Sequence, residues 1–210
     1  MNLDFDAHVH WEKLNEPCES HDRIHGETPS GVHLYSDFIS QTYRTKLLEW
    51  INTNNVFMEI RKGIPRGYFS DHTPPMIIGN VESTPQPKWS RYISHGLHTH
   101  KRFQNPANLM QVMQYEAGRG NNFHVDIPDY GNSLFLLNII GEETAAKTAE
   151  VCFGFRNPLD GRKGHITLRD GDAIELLGAE ALRLWYHCIH PVTALRYSVG
   201  WRDMPIGNGV

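Results

Sequence analysis

The chain has 210 residues and a formal net charge of −4, from 20 Lys and Arg against 24 Asp and Glu. That length suits one domain with its own core, and the acidic balance argues against a general nucleic-acid binder held by charge alone. No apolar run reaches the roughly 20 residues that span a bilayer, and no charged-then-apolar leader opens the sequence. The expectation is a soluble, intracellular (cytoplasmic or nuclear) monomer.

Residues 1–33 show no sustained hydrophobic period and read as an irregular extension. Its histidines, His8, His10, His21, His25 and His33, read as part of a solvated extension in preference to the alternative of a second metal site. Ser36 or Asp37 can cap a helix running to Trp50 or Ile51, with Phe38, Leu47, Leu48 and Ile51 on its apolar side. Between 61 and 90, Pro65, Pro74, Pro75, Pro85 and Pro87 predict loops and short strands. The stretch 83–115 lacks Asp and Glu and sets Lys88, Arg91, Lys101 and Arg102 among Trp89, Tyr92 and Phe103. It reads equally as a solvated loop beside the core or as a surface for phosphates and bases. After Pro106 a series of short strands is predicted over 109–115, 122–127, 133–140, 151–155, 165–168, 173–177, 182–189 and 195–201. Gly, Pro and Asp turns separate them, which points to a mainly β sandwich or barrel with an N-terminal helix. Cys18, Cys152 and Cys188 lack Cys-x-x-Cys spacing and cannot all pair, so reduced thiols are expected.

His124-Val-Asp126 concentrates the chemistry. On a strand, residues two apart share a face, so His124 and Asp126 can hold one metal from one sheet edge. A later histidine would complete a set of two imidazoles and one carboxylate, which leaves positions open on a non-haem Fe(II). Both His187 and His190 precede Arg196, and Pro191 marks a strand end after His190, which favours His187. Arg196 can grip a carboxylate through two parallel donors. Arg202 lies on the same strand face if the strand is regular. Asn138 interrupts an apolar run and, if buried, needs a partner.

Three blocks resemble the AlkB family of Fe(II)- and 2-oxoglutarate-dependent dioxygenases. One runs from Asn108 through Tyr115-Glu-Ala-Gly118 to His124-Val-Asp126, similar to the family's Tyr-x-x-Gly strand followed by His-x-Asp. Another runs from Gly171-Asp172 through Gly178 and Arg183 to Tyr186-His187. The last, Arg196-Tyr-Ser-Val-Gly-Trp-Arg202, is similar to R-x-N-x-T-x-R. Met113, Ser198, Gly200 and Cys188 depart from the family's usual Asn, Asn, Thr and Gly.

The resemblance implies a double-stranded β-helix, or jelly roll, over 34–210, with its core over 105–204 and a substrate lid over 61–104. It implies Fe(II) on His124, Asp126 and His187, with 2-oxoglutarate and O2 as co-substrates. Arg196 and Tyr115 would take the distal carboxylate of 2-oxoglutarate, Arg202 would lie near its chelating end, and Asn138 would be a further contact. Trp89, Tyr92, Asp129 and Tyr130 would meet the substrate. The implied reaction is oxidative demethylation of N-methylated bases in DNA or RNA, releasing formaldehyde, succinate and CO2. The alternative is hydroxylation of a protein side chain or small molecule. A non-catalytic binding module is disfavoured because no ligand of the set is missing.

Overall fold

The computed structural model describes residues 7–127 and 130–204. In chain order its elements are β1 (Ile24–Gly26), β2 (Val32–Tyr35), α1 (Gln41–Thr53), β3 (Glu59–Arg61), β4 (Ile64–Phe69), β5 (Ile77–Ile78), β6 (Val81–Glu82) and α2 (Lys88–Thr99). There follow β7 (Leu109–Tyr115), β8 (Asn121–His124), β9 (Ser133–Ile140), α3 (Glu143–Ala146), β10 (Val151–Arg156), β11 (Lys163–Leu168), β12 (Ala173–Leu177), β13 (Tyr186–Ile189) and β14 (Arg196–Arg202). Trp11–Asn15 forms a 3-10 turn and Glu180–Leu184 a π-helical turn.

Two-residue alternation sorts side chains into layers. Along β14, Tyr197, Val199 and Trp201 join an apolar cluster with Tyr43 and Leu47 of α1 and Ile93 and Leu97 of α2. Arg196, Ser198 and Arg202 therefore face the other way, toward a second cluster that includes Leu134, Leu136, Phe153, Phe155, Ile166 and Leu176. A seven-stranded sheet, β2-β12-β9-β14-β7-β4-β3, thus has helices on one face and a five-stranded sheet, β1-β11-β10-β13-β8, on the other. The mainly β jelly roll expected from the sequence is the fold observed. No helix among the described residues is long and apolar enough to cross a membrane.

Four local expectations need correction. The described part of residues 1–33 is not irregular: β1 pairs with β11, β2 pairs with β12, and Leu14 is fully buried. Arg23 forms a buried ion pair with Asp172, and the Trp11 ring occupies the space a Cβ at Gly96 would need. The α1 cap is Ser40, whose Oγ accepts from Tyr43 N at 3.3 Å, while Asp37 sits earlier at a φ of 50°. Part of the stretch read as loop is α2, in which Trp89, Ile93 and Leu97 recur every fourth position on the buried side. The strand expected over 182–189 begins only at Tyr186, because the helix-favouring run Glu180-Ala-Leu-Arg-Leu184 winds into a π turn first.

Candidate metal centre

His124 and His187 are register partners on β8 and β13, so their side chains leave the sheet side by side. Their ring centroids are 4.5 Å apart at 62°. Asp126 lies just past the end of β8, where its backbone N–H donates to the Leu182 carbonyl at 2.8 Å. The π turn therefore fixes the carboxylate against the two imidazoles. One donor atom from each of His124, Asp126 and His187 lies within 4.8 Å of the others.

The electrostatics suit a cation. His124 Nδ1 is 2.8 Å from the Asn122 carbonyl, an arrangement in which Nδ1–H donates and Nε2 keeps its lone pair. Burial pushes His187 down to about 4, so its ring is a neutral base at neutral pH. Burial raises Asp126, but the Arg202 guanidinium beside it, helped by both histidines, outweighs that and holds the carboxyl below its ordinary value. Arg202 Nη1 is 2.9 Å from Asp126 Oδ2. Two imidazoles and an ionised carboxylate oriented by an arginine match the donor set expected from the sequence. His190 is not part of it. Alternation along β13 turns His187 and Ile189 inward and leaves His190 exposed on the outer face.

Between the sheets, Arg196 is fully buried directly opposite Tyr115 on β7, its guanidinium 5.0 Å above that ring. Its Nε donates to Asn138 Oδ1 at 2.6 Å, while Nη1 and Nη2 have no hydrogen-bond partner among the described residues. Asn138 spends its other end on the Arg169 carbonyl. Both ends of the Asn138 amide are thus engaged within the protein, and its oxygen holds Arg196 through Nε. The Tyr115 hydroxyl donates only to the Met113 sulfur, at 3.6 Å. A small pocket of about 40 Å³, walled by Tyr115, Met113, Ser198, His124, His187 and Arg202, adjoins this region.

That pocket shares His124, Gln111, Met113, Asn121 and Arg202 with an outer cleft of about 230 Å³. Arg61, Lys62 and Arg66 line the cleft, together with Phe123, Ile127 and Tyr130. The β3–β4 hairpin delivers the cations. Lys62 and Gly63 have φ of 53° and 75°, the two-residue turn that matches strand twist and needs positive φ at both places. These three basic residues were not singled out in the sequence, although Lys62-Gly63 between two short strand-like runs is a hairpin signal.

The expected substrate residues separate. Tyr130 is in the cleft, its ring 4.7 Å beneath the Arg202 guanidinium. Asp129 lies outside the described residues. Trp89 is buried against Trp50 and Trp201, and Tyr92 accepts a hydrogen bond from Trp11 Nε1 at 3.0 Å. Both sit in the helical layer, on the far face of the seven-stranded sheet from Arg202, so the expected stacking role is corrected to packing. The cations nearby are also engaged: Arg91 is bidentate to Asp71, and Arg102 holds the Leu14 carbonyl.

No protein-family model matches the chain, and no curated protein matches it. A solved structure described as "The structure of OsALKBH1" aligns with a TM-score of 0.56 at 15% identity, covering 82% of this chain and 98% of that one. At that identity the likeness carries the fold alone. The scaffold that gathers His124, Asp126 and His187 thus shares its fold with that structure.

Proposed function

We propose that the chain is an Fe(II)- and 2-oxoglutarate-dependent dioxygenase acting on N-methylated bases in DNA or RNA. The observation that carries the reading is Arg196, a fully buried guanidinium with two unpartnered nitrogens, stacked on Tyr115, which walls the same small pocket as His124 and His187. A buried charge with open donors is costly unless an anion meets it, and a planar fork matches the two oxygens of a carboxylate.

His124, Asp126 and His187 would hold the iron, which with O2 and 2-oxoglutarate supplies oxidation of a substrate C–H coupled to loss of CO2 and formation of succinate. Arg196 anchors the distal carboxylate of the co-substrate, with Asn138 fixing the guanidinium through Nε. Tyr115 offers its hydroxyl to the same carboxylate. Arg202 keeps Asp126 ionised and ready to bind metal, and it packs on Tyr130 at the cleft wall. Hydroxylation of an N-methyl group gives a hemiaminal that releases formaldehyde and the free amine. Arg61, Lys62 and Arg66 support a phosphate-bearing substrate, because they place positive charge on the cleft wall of a chain that is negative overall.

Mixing the full chain anaerobically with Fe(II) and 2-oxoglutarate should produce the weak visible absorption of a chelate. In air, methylated oligonucleotides should release formaldehyde with succinate. A folded chain that shows neither the band nor succinate sinks the reading. Succinate formation driven by a peptide or metabolite panel, with no response to oligonucleotides, would move the assignment to a hydroxylase of protein side chains or small molecules.

A further inference from the structure

The outer face of the five-stranded sheet carries histidines that the cleft does not use. Ile166, Phe153 and Ile189 point into the core between the sheets, so alternation turns His165, Gly154, Cys188 and His190 to the opposite face. His25 on β1 stands directly across from His165 on β11. Gly154 on β10 stands across from His165 on one side and Cys188 on the other. The His25 and His165 rings are stacked, with centroids 4.5 Å apart.

Gly154 admits the third ring. A Cβ there would lie 2.7 Å from His190 Nε2 and 2.9 Å from Cys188 Sγ. Directly opposed Cβ positions on neighbouring strands are about 5 Å apart, so the His190 imidazole takes the place immediately beside His165. Three imidazoles therefore sit in a row on the outer sheet face, drawn from β1, β11 and the end of β13.

The chemistry of these rings is that of ligands. Burial, with His25 and His190 nearby, lowers His165 below the ordinary histidine value, which leaves its lone pair available at neutral pH. His25 Nε2 is 3.2 Å from the Asp22 carbonyl, an arrangement in which Nε2–H donates and Nδ1 stays free to bind. Among the described residues only the cleft cluster already brings three donor atoms within 4.8 Å of one another. The outer set closes by rotamer changes at His25 and His190, both exposed and able to turn.

We propose that His25, His165 and His190 form a second site, for a divalent cation of the zinc class, on the outer face of the five-stranded sheet. Imidazole nitrogens are the ligands such cations take, with water completing the shell. A bound cation would tie edge strand β1 to the end of β13, whose other face presents His187 to the cleft.

The test is calorimetric titration of Zn2+ alone into two forms of the full chain. In one, Asp126→Ala and His187→Ala remove the cleft cluster; the proposal expects one equivalent of zinc to bind and to raise the melting temperature. Adding His25→Ala, an exposed change that leaves the core intact, should weaken that binding by roughly tenfold or more, and His165→Asn should do the same. In the intact chain, the zinc stoichiometry should fall by one when His25→Ala and His165→Asn are combined, so the test survives poor folding of the cleft variant. His8→Ala and His10→Ala should change nothing. Zinc stoichiometry unaltered by His25→Ala and His165→Asn in the intact chain would overturn the proposal, as would a folded cleft variant that binds no zinc.

Discussion

Replacing Arg196 by methionine should make the protein harder to melt and blind to 2-oxoglutarate. Burial pushes this guanidinium well below its ordinary value, down to about 10. At about 1.4 kcal/mol per pKa unit, that is roughly 3 kcal/mol acting against the charged folded form. A base whose folded pKa is depressed carries this penalty in full at every pH below about 10. Methionine keeps much of the volume and removes the charge, but it leaves Asn138 Oδ1 without the donor it now has. An unsatisfied buried acceptor costs about 1–2 kcal/mol, so the net gain is about 1–2 kcal/mol. For a chain of this size that is roughly 2–8 °C in melting temperature. At a hundred times its Kd, 2-oxoglutarate should stabilise the parent protein by about 2.7 kcal/mol and the variant not at all. Circular-dichroism melts in the presence of Mn(II), with and without 2-oxoglutarate, read both effects. A variant that melts several degrees below the parent would show that the guanidinium is satisfied inside the fold. Equal protection of both proteins by 2-oxoglutarate would show that the anchor is elsewhere.

His187→Ala should abolish Fe(II) binding and turnover, whereas His190→Ala should keep most activity because its ring is outside the cleft; metal stoichiometry and succinate formation separate the two. Arg202→Met should leave Asp126 buried and unpaired at a cost of about 3–5 kcal/mol. A carboxyl held below its ordinary value adds stability above its unfolded pKa and loses it as pH falls through the folded value; without Arg202, burial dominates, lifts the folded value above the unfolded one and reverses the sign, so the variant should lose stability as pH rises through that range. Coincident melting profiles of parent and variant from pH 4 to 8 would contradict this. Reversing Arg61, Lys62 and Arg66 to Glu should flatten the salt dependence of single-stranded oligonucleotide binding by about 0.7 per lost phosphate contact, and reversing Lys88 and Arg91 should not; a reversed ranking in binding titrations would return the interface to α2. Gly96→Ala would place a Cβ 2.1 Å from the Trp11 ring and should cost about 1–3 kcal/mol through overpacking, with normal Fe(II) binding; an unchanged melting temperature would mean that the Trp11 contact is dispensable.

The ligand cluster was legible because its information is local. His124 and Asp126 stand two residues apart in the sequence, although Asp126 lies past the end of β8 and is set by its bond to the Leu182 carbonyl rather than by the strand period. Arg196 and Arg202 are likewise placed by the alternation of one strand. What the sequence concealed depends on partners far along the chain. β1 and β2 are three and four residues long and show no period of their own; they are strands because β11 and β12 bond to them. The segment of α2 is rich in aromatic, β-branched and glycine residues, all poor helix formers. It is helical because Trp89, Ile93 and Leu97 together find the back of the large sheet. Its basic residues therefore suggested a nucleic-acid surface, whereas the cations on the cleft wall come from the β3–β4 hairpin. Asn138 was legible as a buried amide in need of a partner, but not as the residue that orients Arg196.

The early strands also constrain when this protein can finish folding. Tyr35 and Glu175, partners across β2 and β12, are 140 residues apart in the chain. On a ribosome adding about 5–20 residues per second, residues 24–35 would wait on the order of ten seconds for β11 and β12 to be made. Until then β1 and β2 are unpaired backbone, and once β11 and β12 emerge their outer edges stay bare until β1 and β2 return to them. Such long-range pairing is slow to close, and bare edges are where chains stick to one another. Recombinant yield should therefore depend more on temperature and synthesis rate than on the stability of the finished fold.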